Sequence, residues 1–232
     1  MSTVKYFLIL LAIFATFGLF SGASEPVISP LQGTWVEPIL HSMHIGNSIL
    51  FSLSVAYLGS FFFWVLVVQY PEAKRRKLLL DNLSQHYQQF KESVIQVLLW
   101  SSIGTHDSKL PRKLCDHVEF RAYFDANGKQ RWYEALNGLD DRNDFLQDLL
   151  FEMELLASEV NYVLNNVAIQ DERVHRSFKL LNQNINRLKN SSAYTDDPVK
   201  YVGSFLWGIL ARWSYIDGQQ HDDFLELMIK RV

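Results

Sequence analysis

Glu172-Arg173-Val174-His175 sets a carboxylate and an imidazole three residues apart. A helix with this spacing presents both groups on one face, as di-iron carboxylate bundles do. Such a centre needs a second copy of the pair and two further carboxylates. The sequence has no second copy, so a solvated helix face is the preferred reading. Cys115-Asp116-His117 offers two soft ligands where structural zinc takes about four, and drawing in His106 still leaves the set short. His41 and His44 share a helical spacing, yet their segment has no third His or Cys to complete a metal or haem site. His221-Asp222-Asp223 has the composition of a helix start. Glycine-rich phosphate loop, nucleophile elbow, His-Glu-x-x-His pair and dinucleotide fingerprint are all missing from the sequence. The residues therefore call for no catalytic group, no cofactor and no metal.

Two groups of side chains point to contact rather than reaction. Phe120, Arg121, Tyr123, Phe124, Arg131, Trp132 and Tyr133 combine aromatic rings with guanidinium groups, the residue types favoured at protein interfaces. Such aromatics also serve as ordinary core. Lys74-Arg75-Arg76-Lys77 is a compact basic run. Beside a membrane it marks topology, and it attracts anionic lipid by about 1 kcal/mol per basic residue. A net charge of −3 and the lack of further basic support argue against nucleic acid. One cysteine, Cys115, excludes an intrachain disulfide framework.

These groups hang on a chain whose beginning is far more apolar than its remainder. Tyr6 to Phe20 follows the lone cation Lys5 and runs into Ser21-Gly22-Ala23-Ser24. Residues 1–23 thus read either as a signal peptide cut after Ala23 or as a retained first transmembrane helix, with the weak charged leader favouring retention. A second segment is stronger, because no Asp, Glu, Lys or Arg lies between Glu37 and Glu72. Each charge at a membrane centre costs about 2.5–3.5 kcal/mol, so a long uncharged run is what spanning requires. Residues 45–70 are therefore expected to cross the membrane, with 24–44 as an extracytoplasmic loop. The basic run after the span puts residues 71–232 in the cytoplasm by the positive-inside rule. Ser48, Ser52, Ala56 and Ser60 recur every fourth residue and form a candidate helix-packing ridge. The ridge would meet the first segment if that is retained, or a second copy if it is cleaved.

The cytoplasmic part reads as helices. Tyr70-Pro71 predicts a kink or a fresh start at the membrane surface. Leu80, Leu83, Tyr87, Phe90, Val94 and Val97 form an apolar stripe over residues 72–100. Ser101 to Pro111 is a loop. Residues 112–138 carry both a helical pattern and a hairpin signal at Asn127-Gly128. Two short helices are preferred, since no third strand is evident to support a hairpin. Asp140, Asp141 and Asp144 suit a helix N-terminus, ahead of a stripe from Phe145 to Val167. A break near Ile169-Gln170-Asp171 precedes a second stripe, Val174 to Leu188, making the two helices antiparallel neighbours. Asp196-Asp197-Pro198 opens another helix, and Phe224 to Ile229 a last one.

The fold class expected is all-α: one or two N-terminal transmembrane helices followed by a cytoplasmic helical bundle. The plan is generically bacterial, so the expected location is the bacterial inner membrane. The preferred function is a non-enzymatic, membrane-anchored interaction or scaffold protein whose partners are membrane lipid and another protein, a homodimer included. A sensor of a small ligand or stress signal and a membrane-acting effector are the alternative classes.

Overall fold

Both uncharged apolar N-terminal segments form helices, which satisfy their backbone groups within the segment. The computed structural model describes residues 2–23, 31–42, 47–190, 197–214, 218–220 and 222–232. Helix α1 spans Ser2–Gly22, the short α2 Glu37–Ser42 and α3 Ser48–Trp64. Asn47 starts α3 by accepting the amide hydrogens of Ile49 (3.0 Å) and Leu50 (3.3 Å) at its side-chain oxygen. Val4–Gly22 and a stretch within the helical run Ser48–Ser102 are long and apolar enough to cross a membrane.

The chain divides into two compact units, residues 1–75 and 76–232. In the first, α1 and α3 pack antiparallel. The Tyr57 hydroxyl donates to the Leu8 carbonyl (2.9 Å), while Gly18 meets Ser54 and Gly22 meets Asn47 and Phe51. A Cβ on Gly18 would lie 2.7 Å from Ser54 Oγ, and one on Gly22 2.8 Å from the Phe51 nitrogen. The small residues that permit close approach therefore sit on α1: Ala12, Gly18, Ser21 and Gly22 are its buried positions. Of the two roles expected for the α3 ridge, packing on the first segment is not the one seen. Ser48, Ser52, Ala56 and Ser60 are exposed, on the side of α3 turned away from α1.

Pro71 neither ends nor restarts the helix. A π-helical turn, Val65–Gln69, joins α3 to α4 (Tyr70–Ser102), and the Tyr70 N–H reaches back five residues to the Val65 carbonyl. Widening the turn just before a proline moves carbonyls out of the ring's way, so the helix runs on.

The second unit continues with α5 (Leu110–Leu114), α6 (His117–Phe124), α7 (Ala126–Asp141), α8 (Asn143–Asn166), α9 (Glu172–Asn190), α10 (Pro198–Leu210) and α11 (Phe224–Arg231). Strands β1 (Trp213–Ser214) and β2 (Gly218–Gln219) pair antiparallel over two residues each and are the only ladder among the described residues. Side-chain caps by Asp116, Asp171, Asp197 and Asp223 start α6, α9, α10 and α11. Asn127-Gly128 keeps the backbone geometry of its hairpin signal but serves a corner between helices. Asn127, Gly128 and Lys129 all have positive φ (52°, 72° and 66°) before α7 becomes regular.

Asp140 and Asp141 belong to the end of α7, not to the next helix, because Arg142 turns extended (φ −132°, ψ 94°) and α8 begins behind it. Asp144 alone sits in the first turn of α8. The stripes of α4, α8, α9 and α10 close over one core in which Leu83, Tyr87, Leu98, Phe120, Met153 and Phe178 are fully enclosed.

Gly138 shows how tightly α7 meets the end of α4: a Cβ there would fall 2.0 Å from the Ser101 carbonyl oxygen. Gly138→Ala is expected to cost about 1–3 kcal/mol and to lower Tm by roughly 2–12 °C. Gly208→Ala, whose Cβ would come no nearer than 3.4 Å to the Trp213 oxygen, should leave Tm unchanged or slightly higher. Thermal unfolding of the detergent-purified chain, followed by circular dichroism, checks both.

Candidate functional site

A lysine on the apolar stripe of α4 is the chemical anomaly of the second unit. Lys91 follows Leu83 and Tyr87 at four-residue intervals and therefore points into the core, where it is 4% exposed. Burying an ammonium is costly unless it is paired and hydrogen-bonded. Its Nζ lies 3.2 Å from Asp223 Oδ2 and 2.9 Å from Glu226 Oε1. It also stands 4.6 Å from the centre of the Tyr87 ring. The Tyr87 hydroxyl donates to Asp223, 3.0 and 2.9 Å from its two oxygens, and the Gln88 amide donates to Glu226 at 2.7 Å. Asp223 in turn caps α11, accepting the amide hydrogens of Leu225 (3.1 Å) and Glu226 (3.2 Å). The Arg212 guanidinium stands 4.0 Å from the same carboxylate.

These groups border a cleft of about 210 Å³ lined by Tyr87, Gly208, Ile209, Arg212, Gln220 and Asp223, with Leu181 and Phe224 as apolar walls. Burial pushes the Tyr87 hydroxyl well above its usual range, and the neighbouring Asp223 charge adds to the shift. Tyr87 is therefore a fixed proton donor rather than a base. Burial also opposes ionisation of Glu226, but the Lys91 ammonium and Gln88 amide outweigh it and hold the carboxyl below its ordinary value. Charge and hydrogen bonds are thus committed to fastening α11 onto α4.

The aromatic-basic group predicted as a partner surface is divided by the fold. Phe120, Phe124 and Trp132 are core residues that cluster with Trp207; centroids are 4.7 Å apart for Phe120–Phe124 and 5.0 Å for Trp132–Trp207. Phe120 and Trp132 are thereby withdrawn from any partner, because four rings share one interior that the sequence pattern alone could not distinguish from a surface. Tyr123 is half-buried under the Arg131 guanidinium (4.5 Å), and Tyr133 is exposed. Arg121 is half-buried, with Nη1 enclosed and unpartnered.

The basic run lies on α4, with Lys74, Arg75 and Lys77 exposed and Arg76 half-buried. Glu172 is exposed beside Arg176 (3.9 Å), and His175 is half-buried on the same solvated face. Cys115 donates weakly to the Pro111 carbonyl, and burial pushes its thiol up. His117 opens α6, where burial and the charges of Arg212 and Arg121 hold its imidazole low. Among the described residues no three His, Cys, Asp or Glu side chains gather as a metal site. His41 belongs to α2, while His44 and His221 lie outside the described residues.

A surface feature that the sequence reading did not single out runs along α8. Opposite its buried stripe, Phe151, Leu155 and Tyr162 are exposed at 58%, 47% and 50%. Asp144, Asp148, Glu152 and Glu159 flank them, and α8 holds no Lys or Arg. Burial pushes the Glu152 carboxyl up, and the Asp148 charge one turn away adds to it. No family model, curated protein or solved structure matches the chain.

Two measurements test the clamp. Lys91→Met strands the buried Asp223 and should cost about 3–5 kcal/mol in urea unfolding, while Tyr87→Phe should cost about 1–2 kcal/mol. Adding Asp223→Asn to Lys91→Met should recover part of the loss. The pH profile should fall at both ends. Tyr87 has a raised folded pKa, so its contribution is complete below the usual value near 10 and is lost as pH rises through the folded value. Glu226 and His117 have depressed folded pKa values, so theirs are complete above the usual values near 4.3 and 6.5 and are lost as pH falls. Tyr87→Phe should flatten only the alkaline limb, and melting temperatures across the pH range check this.

Proposed function

We propose that this chain is a membrane-anchored helical interaction protein, with α1 and α3 crossing a bacterial inner membrane and the 76–232 bundle working at its cytoplasmic face. The observation that carries the reading is the lateral surface of the α1–α3 hairpin. Phe14 is 70% exposed and Phe63 66%, and Phe7, Ile13, Leu53, Phe62 and Leu66 are similarly bare. In the apolar windows of the two segments, 17% and 6% of the residues are buried. A soluble core helix would be mostly buried, and an exposed apolar sleeve of this extent is stable only in lipid.

The hairpin geometry favours retention of the first segment over its removal as a signal, since Gly18, Gly22 and Tyr57 are fitted to contacts that exist only when both helices stay. Nineteen residues from Val4 to Gly22 rise about 28 Å as a helix, close to the hydrocarbon thickness. Antiparallel packing puts Lys5 at the end of the hairpin from which the chain proceeds to Lys74 and Arg75. Both termini are then cytoplasmic under the positive-inside rule. Anionic lipid would meet the exposed basic residues there. The bundle offers a protein partner the bare apolar and acidic face of α8, while its buried ionic groups are occupied in holding helices together.

Carbonate extraction at high pH should leave the chain in the membrane pellet. In a Cys115→Ser background, Gln32→Cys should react with an impermeant maleimide added to intact spheroplasts. Gln89→Cys should react only after permeabilisation. Release into the carbonate supernatant, or the reverse labelling pattern, would sink the reading.

A further inference from the structure

Helix α8 carries two seams. Leu149, Met153, Leu156 and Val160 face the core. On the opposite side Asp144, Asp148, Phe151, Leu155, Ser158 and Tyr162 recur at intervals of four and three, and all six are exposed. That spacing is the one by which a helix meets a second helix. Glu152 and Glu159 stand along one flank of the outer seam. Among the described residues none of Asp144, Asp148, Glu152 and Glu159 has a cation within ion-pair distance; Glu154, on the other flank, is taken by Lys189 of α9. The chain does not supply the missing charge. Lys189 is the last base of α9 and lies level with Glu154, so Asp144, Asp148 and Glu152 lie past it, while Arg173, Arg176 and Lys179 are at the far end of the pair. Residues 191–196, which follow α9, contain no Lys or Arg. Burial and the Asp148 charge together push the Glu152 carboxyl up, the response of an acid with a like charge beside it and no cation.

We propose that the outer seam of α8 is the docking site for a basic amphipathic helix of another protein. That helix sets apolar side chains on Phe151, Leu155 and Tyr162, and Lys or Arg side chains against Asp144, Asp148, Glu152 and Glu159. The inference rests on the interaction-protein reading above and names the chemistry of the partner. Covering the three large side chains removes apolar surface from water. The incoming cations at the same time relieve the repulsion between acids spaced by four along α8. Charge decides among the occupants. Nucleic acid and an anionic lipid surface are repelled by four carboxylates, and a helix without cations would partly desolvate those acids while leaving them unpaired. From Asp144 to Tyr162 the seam rises about 27 Å, so the partner segment is a helix of about five turns that anchors through residues three and four apart.

Photo-cross-linking of the full-length chain in its native membranes tests the assignment. The photo-reactive residue p-benzoylphenylalanine is placed at Ser158, within the apolar part of the seam, and as a control at Gln183 on the outer face of α9. The Ser158 position should give an adduct with one protein, and the Gln183 position should not. Mass spectrometry should map that adduct to a helical segment whose apolar residues recur at three and four among Lys and Arg. Asp148→Lys with Glu152→Lys should lower the adduct at least about tenfold, and reversing the mapped cations of the partner to Glu should restore it. Asp148→Asn with Glu152→Gln should also lower the adduct while leaving Tm unchanged or higher, because it removes a repulsion within α8 and so separates docking from folding. No protein adduct at Ser158 would overturn the assignment. So would an adduct with lipid, with a second copy of the chain or with a segment lacking cations, or a yield indifferent to charge reversal. An adduct formed at Gln183 alone would overturn this face but keep the interaction reading, and a chain retained on carbonate extraction would keep the anchored reading even then.

Discussion

The Asp223 carboxylate is where the two ends of the bundle are joined. It accepts from Tyr87 and Lys91 on α4 and from two amides at the start of α11, across 132 to 136 residues of sequence. One group thus completes a helix cap and neutralises a buried lysine. The two duties are coupled: an α11 that left α4 would give up the contacts of its cap with Tyr87 and Lys91 and take both carboxylates, Asp223 and Glu226, away from the ammonium. Breaking a buried pair in this one-sided way is the costly case. The geometry therefore ties the last helix to the core face of α4.

The two units solve burial with different physics. In water the bundle gains from removing Leu, Val and Phe side chains from solvent, and a broad stripe on each helix is enough. In the membrane proposed for the first unit, lipid would offer no such gain, since its tails are as apolar as the side chains. What holds α1 to α3 is fit: glycines that let backbones touch, and a tyrosine hydroxyl that finds a carbonyl within the pair. The π turn before Pro71 belongs to the same economy of backbone hydrogen bonds. It lets the run from Ser48 to Ser102 continue past a residue that lacks an amide hydrogen.

Local chemistry was legible in the sequence to different depths. Helix stripes, and the helix starts at Asp197 and Asp223, were readable because both depend on neighbours within four residues, whereas Asp140 and Asp141 suit a helix start by type yet end α7. Asn127-Gly128 announced positive φ correctly, but the same backbone geometry suits a hairpin and a helix corner, and only tertiary packing chooses. The aromatic cluster misled for a related reason. Residue type does not reveal whether Phe120 and Trp132 meet a partner or Trp207. The small-residue ridge was sought on α3, where four-residue spacing is regular, whereas the close approach is set by less regular positions on α1. Lys91 did leave a signal, a cation in register with Leu83 and Tyr87, but recognising it as a clamp needs the distant Asp223.

The charges of α8 and α9 are segregated by helix rather than interleaved. Interleaving acids and bases along each helix would gain about 0.2–0.5 kcal/mol per i,i+4 pair, at no cost to the buried stripes. Instead α8 is wholly acidic, and the outer face of α9 is basic but for Glu172. Like charges four residues apart along a helix repel by a similar amount, which the buried stripe of the same helix must offset. The whole chain is nearly balanced at −3, so solubility through net charge does not account for the segregation. The segregation is lengthwise as well: because α8 and α9 are antiparallel, Asp144, Asp148 and Glu152 lie at one end of the pair and Arg173, Arg176 and Lys179 at the other.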